Sequence, residues 1–246
     1  MSKLTFVDTC ASTNDLARAH LAERGASGWG VCARRQTAGR GRLGRTWSDL
    51  GGEQLFLSVA LEGGAFRRVV AQLSLAAGVG VAEALAEQGA EGVLLKWPND
   101  LVCSDGRKLG GILGEALVSD GRVEGAIIGV GVNLSAPDAW PEGLEATSVN
   151  GLGHAFDREA LARAVHQRIV ARAAQLANGD SAGILDAWRA RDATIGRGVR
   201  IVDGTRRGVA AGVDPSGALR VRDVNGVVHL INSGEIIWDS SADGEA

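Results

Sequence analysis

Two spacings of apolar residues alternate along this chain. Short β-rich runs dominate from Leu4 to Leu134, broken by one long apolar helical stretch at Val69–Glu87. Leu4-Thr5-Phe6-Val7 predicts a first strand. Leu16, Ala17 and Leu21 predict a helix, with Ser12, Thr13 and Asn14 available as N-cap and Gly25 as C-cap. Further strands are expected at Trp29–Ala33, Leu55–Leu61, Val93–Leu101, Arg107–Glu115 and Val123–Val132. A second long helix starts behind Asp157 and carries Ala160, Leu161, Val165, Ile169, Ala173 and Leu176 to Asn178-Gly179. A shorter one covers Ile184–Ala190. His166 falls inside the longer helix among arginines and reads as solvated or packing, not catalytic.

From Ile195 the texture changes to short alternating strands. They are separated by Asp203-Gly204, Asp214-Pro215-Ser216-Gly217 and Asn225-Gly226, the last a two-residue hairpin signal. The pattern predicts an α+β protein: a mixed or antiparallel sheet packed with helices over residues 1–194, a small unit of about five strands over 195–240, and a disordered polar tail at 241–246.

Several strands carry residues that a strand does not need. Pro98 interrupts Lys96-Trp97-Pro98-Asn99-Asp100 and must end or bulge the ladder. An edge turn with Asn99-Asp100 as ordinary turn residues is the plainer alternative. Gly110-Gly111 interrupts the next strand, and Gly129 and Gly131 alternate with valines before Asn133. Glycine there costs stability and packs nothing, so something is expected to approach the backbone closely.

Composition narrows the function. The chain has 26 Lys and Arg against 29 Asp and Glu, a net charge of −3. No apolar run reaches the roughly 20 residues of a membrane span, and the N-terminus lacks a signal core, so a cytoplasmic protein without membrane association is expected. Cys10, Cys32 and Cys103 have neither disulfide-framework nor zinc spacing, and the four histidines are scattered. Nucleophilic triads and metal hydrolysis are thereby disfavoured.

Against this acidic background, Arg34 to Trp47 holds five arginines, Arg34, Arg35, Arg40, Arg42 and Arg45, and no acid. Gly39, Gly41 and Gly44 punctuate it. Glycine lets successive N–H groups face one ligand, and arginine offers a donor fork for carboxylate or phosphate. A solvated basic loop is the bland alternative. Only three basic residues are lysines, Lys3, Lys96 and Lys108, and two of them fall at the interrupted strands. Ser12, Thr13 and Asn14 either cap their helix or surround a small polar ligand. No Walker A or GxGxxG sequence is present. The ingredients describe a site for a nucleotide or another anion with an apolar part, working by positioning and charge neutralisation.

Five motifs in order resemble biotin–protein ligase: Ser12-Thr13-Asn14, Gly39–Trp47, Lys96–Leu101, Arg107–Leu113 and Gly129–Leu134. The resemblance implies a ligase that condenses biotin with ATP, with Mg²⁺, to biotinyl-5′-AMP. The biotinyl group then passes to a lysine of a biotin carboxyl carrier protein. By motif, Lys108, Arg40 and Asp100 are the catalytic candidates. Ser12, Thr13, Asn14, Gln36, Arg40, Gly41, Arg42 and Lys108 would contact biotin or its adenylate, with Gly110 and Gly111 giving the ligand room. Arg42, Arg45, Trp47, Asn99 and Asn133 would serve the nucleotide, Trp47 by stacking on adenine. The protein ligands of Mg²⁺ stay open. The small β unit matches the family's SH3-like β-barrel domain. With Ser12 so near the start, no DNA-binding repressor module is expected; homodimer and monomer both remain open. A lipoate– or octanoate–protein ligase is the nearest alternative, and a non-catalytic nucleotide- or nucleic-acid-binding regulator the more distant one.

Overall fold

The computed structural model describes residues 3–23, 25–63, 70–202 and 206–239. The Asp203-Gly204 turn, residue 69 and the tail at 241–246 lie outside them. Twelve strands are described: β1 (Leu4–Cys10), β2 (Trp29–Gln36), β3 (Gln54–Glu62), β4 (Leu94–Lys96), β5 (Asp100–Val102), β6 (Lys108–Ser119), β7 (Arg122–Asn133), β8 (Gly198–Ile201), β9 (Arg207–Val213), β10 (Leu219–Arg222), β11 (Val228–Ile231) and β12 (Ile236–Trp238). Four α-helices accompany them: α1 (Thr13–Ala22), α2 (Val70–Glu87), α3 (Arg158–Ala177) and α4 (Ser181–Arg189).

β1 to β7 form one sheet in the order β1-β2-β3-β7-β6-β5-β4. Only β1 and β2 run parallel, joined through α1; the other neighbours are antiparallel. Strand periodicity sorts the two faces. Leu55, Leu57, Val59 and Leu61 of β3 and Ala126, Ile128, Val130 and Val132 of β7 join the main core with α2, α3 and α4. Ala60 and Ile127 point the other way and pack under Ala17 of α1. α2 is apolar on all sides because sheet and helices surround it. Gly80 admits the α3 backbone at Arg168, where a Cβ would come within 3.1 Å.

α3 begins as its sequence predicts, with the Asp157 carboxylate accepting from Glu159 N and Ala160 N. His166 is not solvated: it is 2% exposed and bonded to Gly28 O at 2.8 Å. The C-terminal unit is a five-stranded antiparallel sheet, β11-β10-β9-β8-β12. The Asn225-Gly226 hairpin is present, but its loop is longer than two residues. Asp223 N bonds Val227 O, and the Asp223 carboxylate accepts from Asn225 N and Val227 N. Hydrogen bonds tie this unit to the rest of the chain: Trp97 Nε1 donates to Gly217 O at 3.0 Å and Gln72 Nε2 to Pro215 O at 2.7 Å. No helix among the described residues is long and apolar enough to cross a membrane.

Candidate active site

The face of the large sheet opposite α2 forms the floor of a cleft of about 330 Å³. The alternation that puts Leu55 and Leu57 in the core puts Gln54 and Phe56 on this floor, beside Gly129, Gly131 and Asn133 of β7 and Gly111 and Leu113 of β6, with Ser58 on the same face but fully buried. The N-terminus of α1 closes one end and the arginine/glycine loop arches over the other.

The α1 end is a tightly bonded pocket of neutral side chains that ends on the Glu115 carboxylate, itself paired with Arg18 at 3.1 Å. Ser12 stands at the N-cap position but makes no capping bond with its side chain. Thr13 and Asn14 do not cap either. Gln36 Oε1 accepts from Thr13 N at 2.7 Å and from Thr13 Oγ1 at 3.0 Å. Ser58 Oγ lies 2.7 Å from Thr13 Oγ1 and 2.6 Å from Asn14 Oδ1, and Asn14 Nδ2 donates to Glu115 Oε2 at 2.6 Å. Ser12, Thr13, Asn14 and Ser58 are all buried. A buried polar group needs a partner at each end, so this chain of bonds fixes every member. Of the two readings the motif left open, helix capping is not the one observed.

The loop end is made of cations. Arg40 is clamped to Asp15 by two bonds, 2.7 and 2.9 Å, with Glu115 at 3.7 Å. The Arg40 hydrogen bond holds the Asp15 carboxyl below the usual range. Arg42 donates to Asn99 Oδ1 and to Gly234 O; burial lowers its pKa. Arg45 pairs with Glu235 at 2.6 Å, and Lys108 Nζ donates to Asp100 Oδ1 at 2.7 Å. Lys96 also lines the cleft. Leu43 sits at the loop apex in the left-handed region (φ 55°), 71% exposed. Arg34 and Arg35 take no part; they pair at the surface with Asp8 and Asp49.

The strand glycines do admit something, and it is protein. A Cβ on Gly131 would meet the Trp47 indole at 2.8 Å and one on Gly111 would meet it at 3.2 Å, so Trp47 lies flat on both. Its Nε1 donates to Gln54 Oε1. Gly129 makes room for Asn14, at 2.3 Å. Gly110 faces away from the cleft: its Cβ would strike Gly131 O and Leu101. Asn99 braces the Lys96–Asp100 turn by donating to Ile112 O, and Asn133 is pinned to Thr147 O. Trp97 is core, 2% exposed. Sequence reasoning missed Ser58, Glu115, Asp15, Gln54 and Glu235. Ser58 was the one with a signal, a lone hydroxyl in the apolar run Leu55–Leu61.

Among the described residues no three His, Cys, Asp or Glu side chains converge as metal ligands. Asp100, which also lines the cleft, is committed to Lys108.

Fold and site define a class: a mixed sheet whose open face carries a cleft with bonded neutral side chains at one end and cations at the other. Residues 7–133 match the biotin/lipoate A/B protein ligase family, and residues 194–238 match the biotin protein ligase C-terminal domain. The chain belongs to the biotin/lipoate A/B protein ligase family. It is 39% identical over 206 residues to the biotin--[acetyl-CoA-carboxylase] ligase of Paracoccus denitrificans, covering 80% of this chain and 84% of that one. With the corresponding ligase of Mycobacterium tuberculosis it shares 36% over 260 residues, covering 96% and 88%. The biotin protein ligase of Aquifex aeolicus, solved in complex with biotin and ATP, superposes with a TM-score of 0.82 at 27% identity, over 98% of this chain and 100% of that one.

Proposed function

We propose that this chain is an ATP-dependent biotin–protein ligase and that the cleft is where biotin and ATP meet. One observation carries the reading: a neutral hydrogen-bonded pocket and a five-cation loop end share one sheet face. Membership of the ligase family supports the same reaction.

In that reaction the biotin carboxylate attacks the α-phosphorus of ATP and pyrophosphate leaves, giving biotinyl-5′-AMP. A lysine amine of a carrier domain then attacks the acyl carbon, an amide forms and AMP leaves. Two anions must approach in the first step. Their repulsion is what Arg40, Arg42, Arg45, Lys96 and Lys108 offset, with charge-assisted N–H donors fixed before the ligand enters. Thr13, Asn14 and Gln36, with Ser58 bracing the first two from below, suit the uncharged, amide-like ring system of biotin. Gly111 and Gly131 set Trp47 at the height of the sheet, where its ring face is available to adenine. Asp100 holds Lys108 by its ammonium and so aims it along the cleft floor. Mg²⁺ would come with the triphosphate, since the acids here are engaged with arginines and lysines.

The division at residue 194/195 belongs to this proposal, supported by the change from helices to short strands beyond Thr194. So does a cytoplasmic location, supported by three free cysteines. The test is incubation with biotin, ATP and a biotin carboxyl carrier domain, followed by mass spectrometry. A mass gain of one biotinyl group on a carrier lysine is expected; an unmodified carrier refutes the proposal.

A further inference from the structure

Five cations line the cleft, and among the described residues four already point at an acceptor: Arg40 at Asp15, Arg42 at Asn99, Arg45 at Glu235 and Lys108 at Asp100. The fifth is Lys96, whose ammonium makes no hydrogen bond or ion pair to any described residue. What it has is a ring. Its Nζ lies 4.4 Å from the centroid of Trp238, and the Arg197 guanidinium lies 4.2 Å from the same ring. Trp238 ends β12, in the C-terminal sheet. Gly106 fits against it so closely that a Cβ would come within 2.9 Å. The indole N–H is buried without an acceptor. A buried indole N–H ordinarily finds a partner; Trp238 is a partly buried ring whose faces are what the surroundings use.

A lysine held this way keeps three N–H donors and a charge unspent. Burial pushes its pKa below the ordinary lysine value, Lys108 and Arg197 act in the same direction, and Asp100 and Glu235 oppose them. An anion in the cleft would supply what Lys96 lacks. A lysine merely snorkelling over a ring at the surface would reach water instead, but Lys96 lines the cleft beside Lys108 and Asp100.

We infer that Trp238 is a positioning residue for ATP: by holding the Lys96 ammonium over its ring, the C-terminal sheet presents an unpaired donor to the triphosphate. The inference rests on the ligase reading for the identity of the anion, and it makes the small sheet part of the nucleotide site.

The test titrates α,β-methylene-ATP, which cannot release pyrophosphate, into the whole chain at saturating biotin. Lys96→Met is expected to weaken analogue binding about tenfold, the loss of one charge-assisted contact. Trp238→Leu is expected to weaken it about fivefold, and both leave biotin affinity within about twofold. Trp238→Phe, which keeps a ring face, stays within about threefold of wild type. Because Trp238 acts through Lys96, adding Trp238→Leu to Lys96→Met costs less than about a further twofold. Lys96→Met binding the analogue as wild type does overturns the inference. So do additive losses in the double variant, or equal losses for biotin, which mark a purely structural role. Lys96→Met leaves β12 intact, so the test survives a folding defect in Trp238→Leu. A wild type that binds the analogue yet releases no pyrophosphate from ATP and biotin refutes the ligase reading instead, and the variant comparison still decides the role of Trp238.

Discussion

The two ends of the cleft are built on different physics. At the α1 end, Thr13, Asn14, Gln36 and Ser58 satisfy one another through short bonds in a buried setting, and each neutral bond contributes about 1 kcal/mol. At the loop end, Arg40, Arg45 and Lys108 are paired with acids at partly exposed positions, where an ion pair is worth about 0–1 kcal/mol. The first end is shaped before any ligand arrives. The second holds its charges in place with pairs weak enough to be exchanged for phosphate or carboxylate. A site that must recognise one neutral ring and also bring two anions together needs both.

The comparison can be broken at its charged end first. Lys108→Ala and Arg40→Ala are each expected to lower adenylate formation by about 10²-fold or more, a loss of roughly 3 kcal/mol of charge stabilisation. Pyrophosphate release measures it, and wild-type rates in both variants would remove the charge argument. Two glycine variants then separate the ends. Gly129→Ala pushes against Asn14 and should raise the KM for biotin about tenfold, while Gly131→Ala lifts the Trp47 indole and should raise the KM for ATP about tenfold. Each should leave the other KM within about twofold; equal shifts in both would mean the two ends are one unit. A smaller effect follows from Asp15→Asn, which removes the acid that clamps Arg40. Freed from that pair, Arg40 should bind its anion about threefold more tightly, within the range of an exposed ion pair. Weaker binding in this variant would show that Asp15 positions Arg40.

The smallest expected effect lies outside the cleft. Burial keeps the His166 pKa below its ordinary value, opposed only by the bond to Gly28 O. Its contribution to stability is therefore present above about pH 6.5 and is lost as pH falls below that, because the unfolded chain takes up the proton first. The urea midpoint of wild type should drop more between pH 7.5 and pH 5 than that of His166→Gln, with no change in turnover at pH 7.5.

How much of this could be read from residues alone differs element by element. The Asp157 cap, the Asp214–Gly217 turn and the β-rich C-terminal unit announce themselves through local chemistry that tertiary packing does not overrule. The arginine/glycine loop and Lys108 were visible because charge and glycine stand out against an acidic, apolar chain. The acids that pair with them were not. Asp15, Glu115 and Glu235 come from a helix, a strand and a second unit, and only the fold brings them within 4 Å of their arginines. The glycines of β6 and β7 correctly signalled a close approach, but sequence could not say whose. The structure gives Asn14 and Trp47 as the groups that approach. That Gly110 turns toward Gly131 O and Leu101, away from the cleft, also depended on which face its strand gives to the helices.

The most direct test of the central claim is pyrophosphate release from ATP, measured with biotin, with lipoate and with neither. The account predicts release with biotin only, since the neutral end is already shaped around hydrogen-bonding partners that lipoate's ring cannot supply. Release with lipoate but not biotin, or release that needs neither acid, would contradict it.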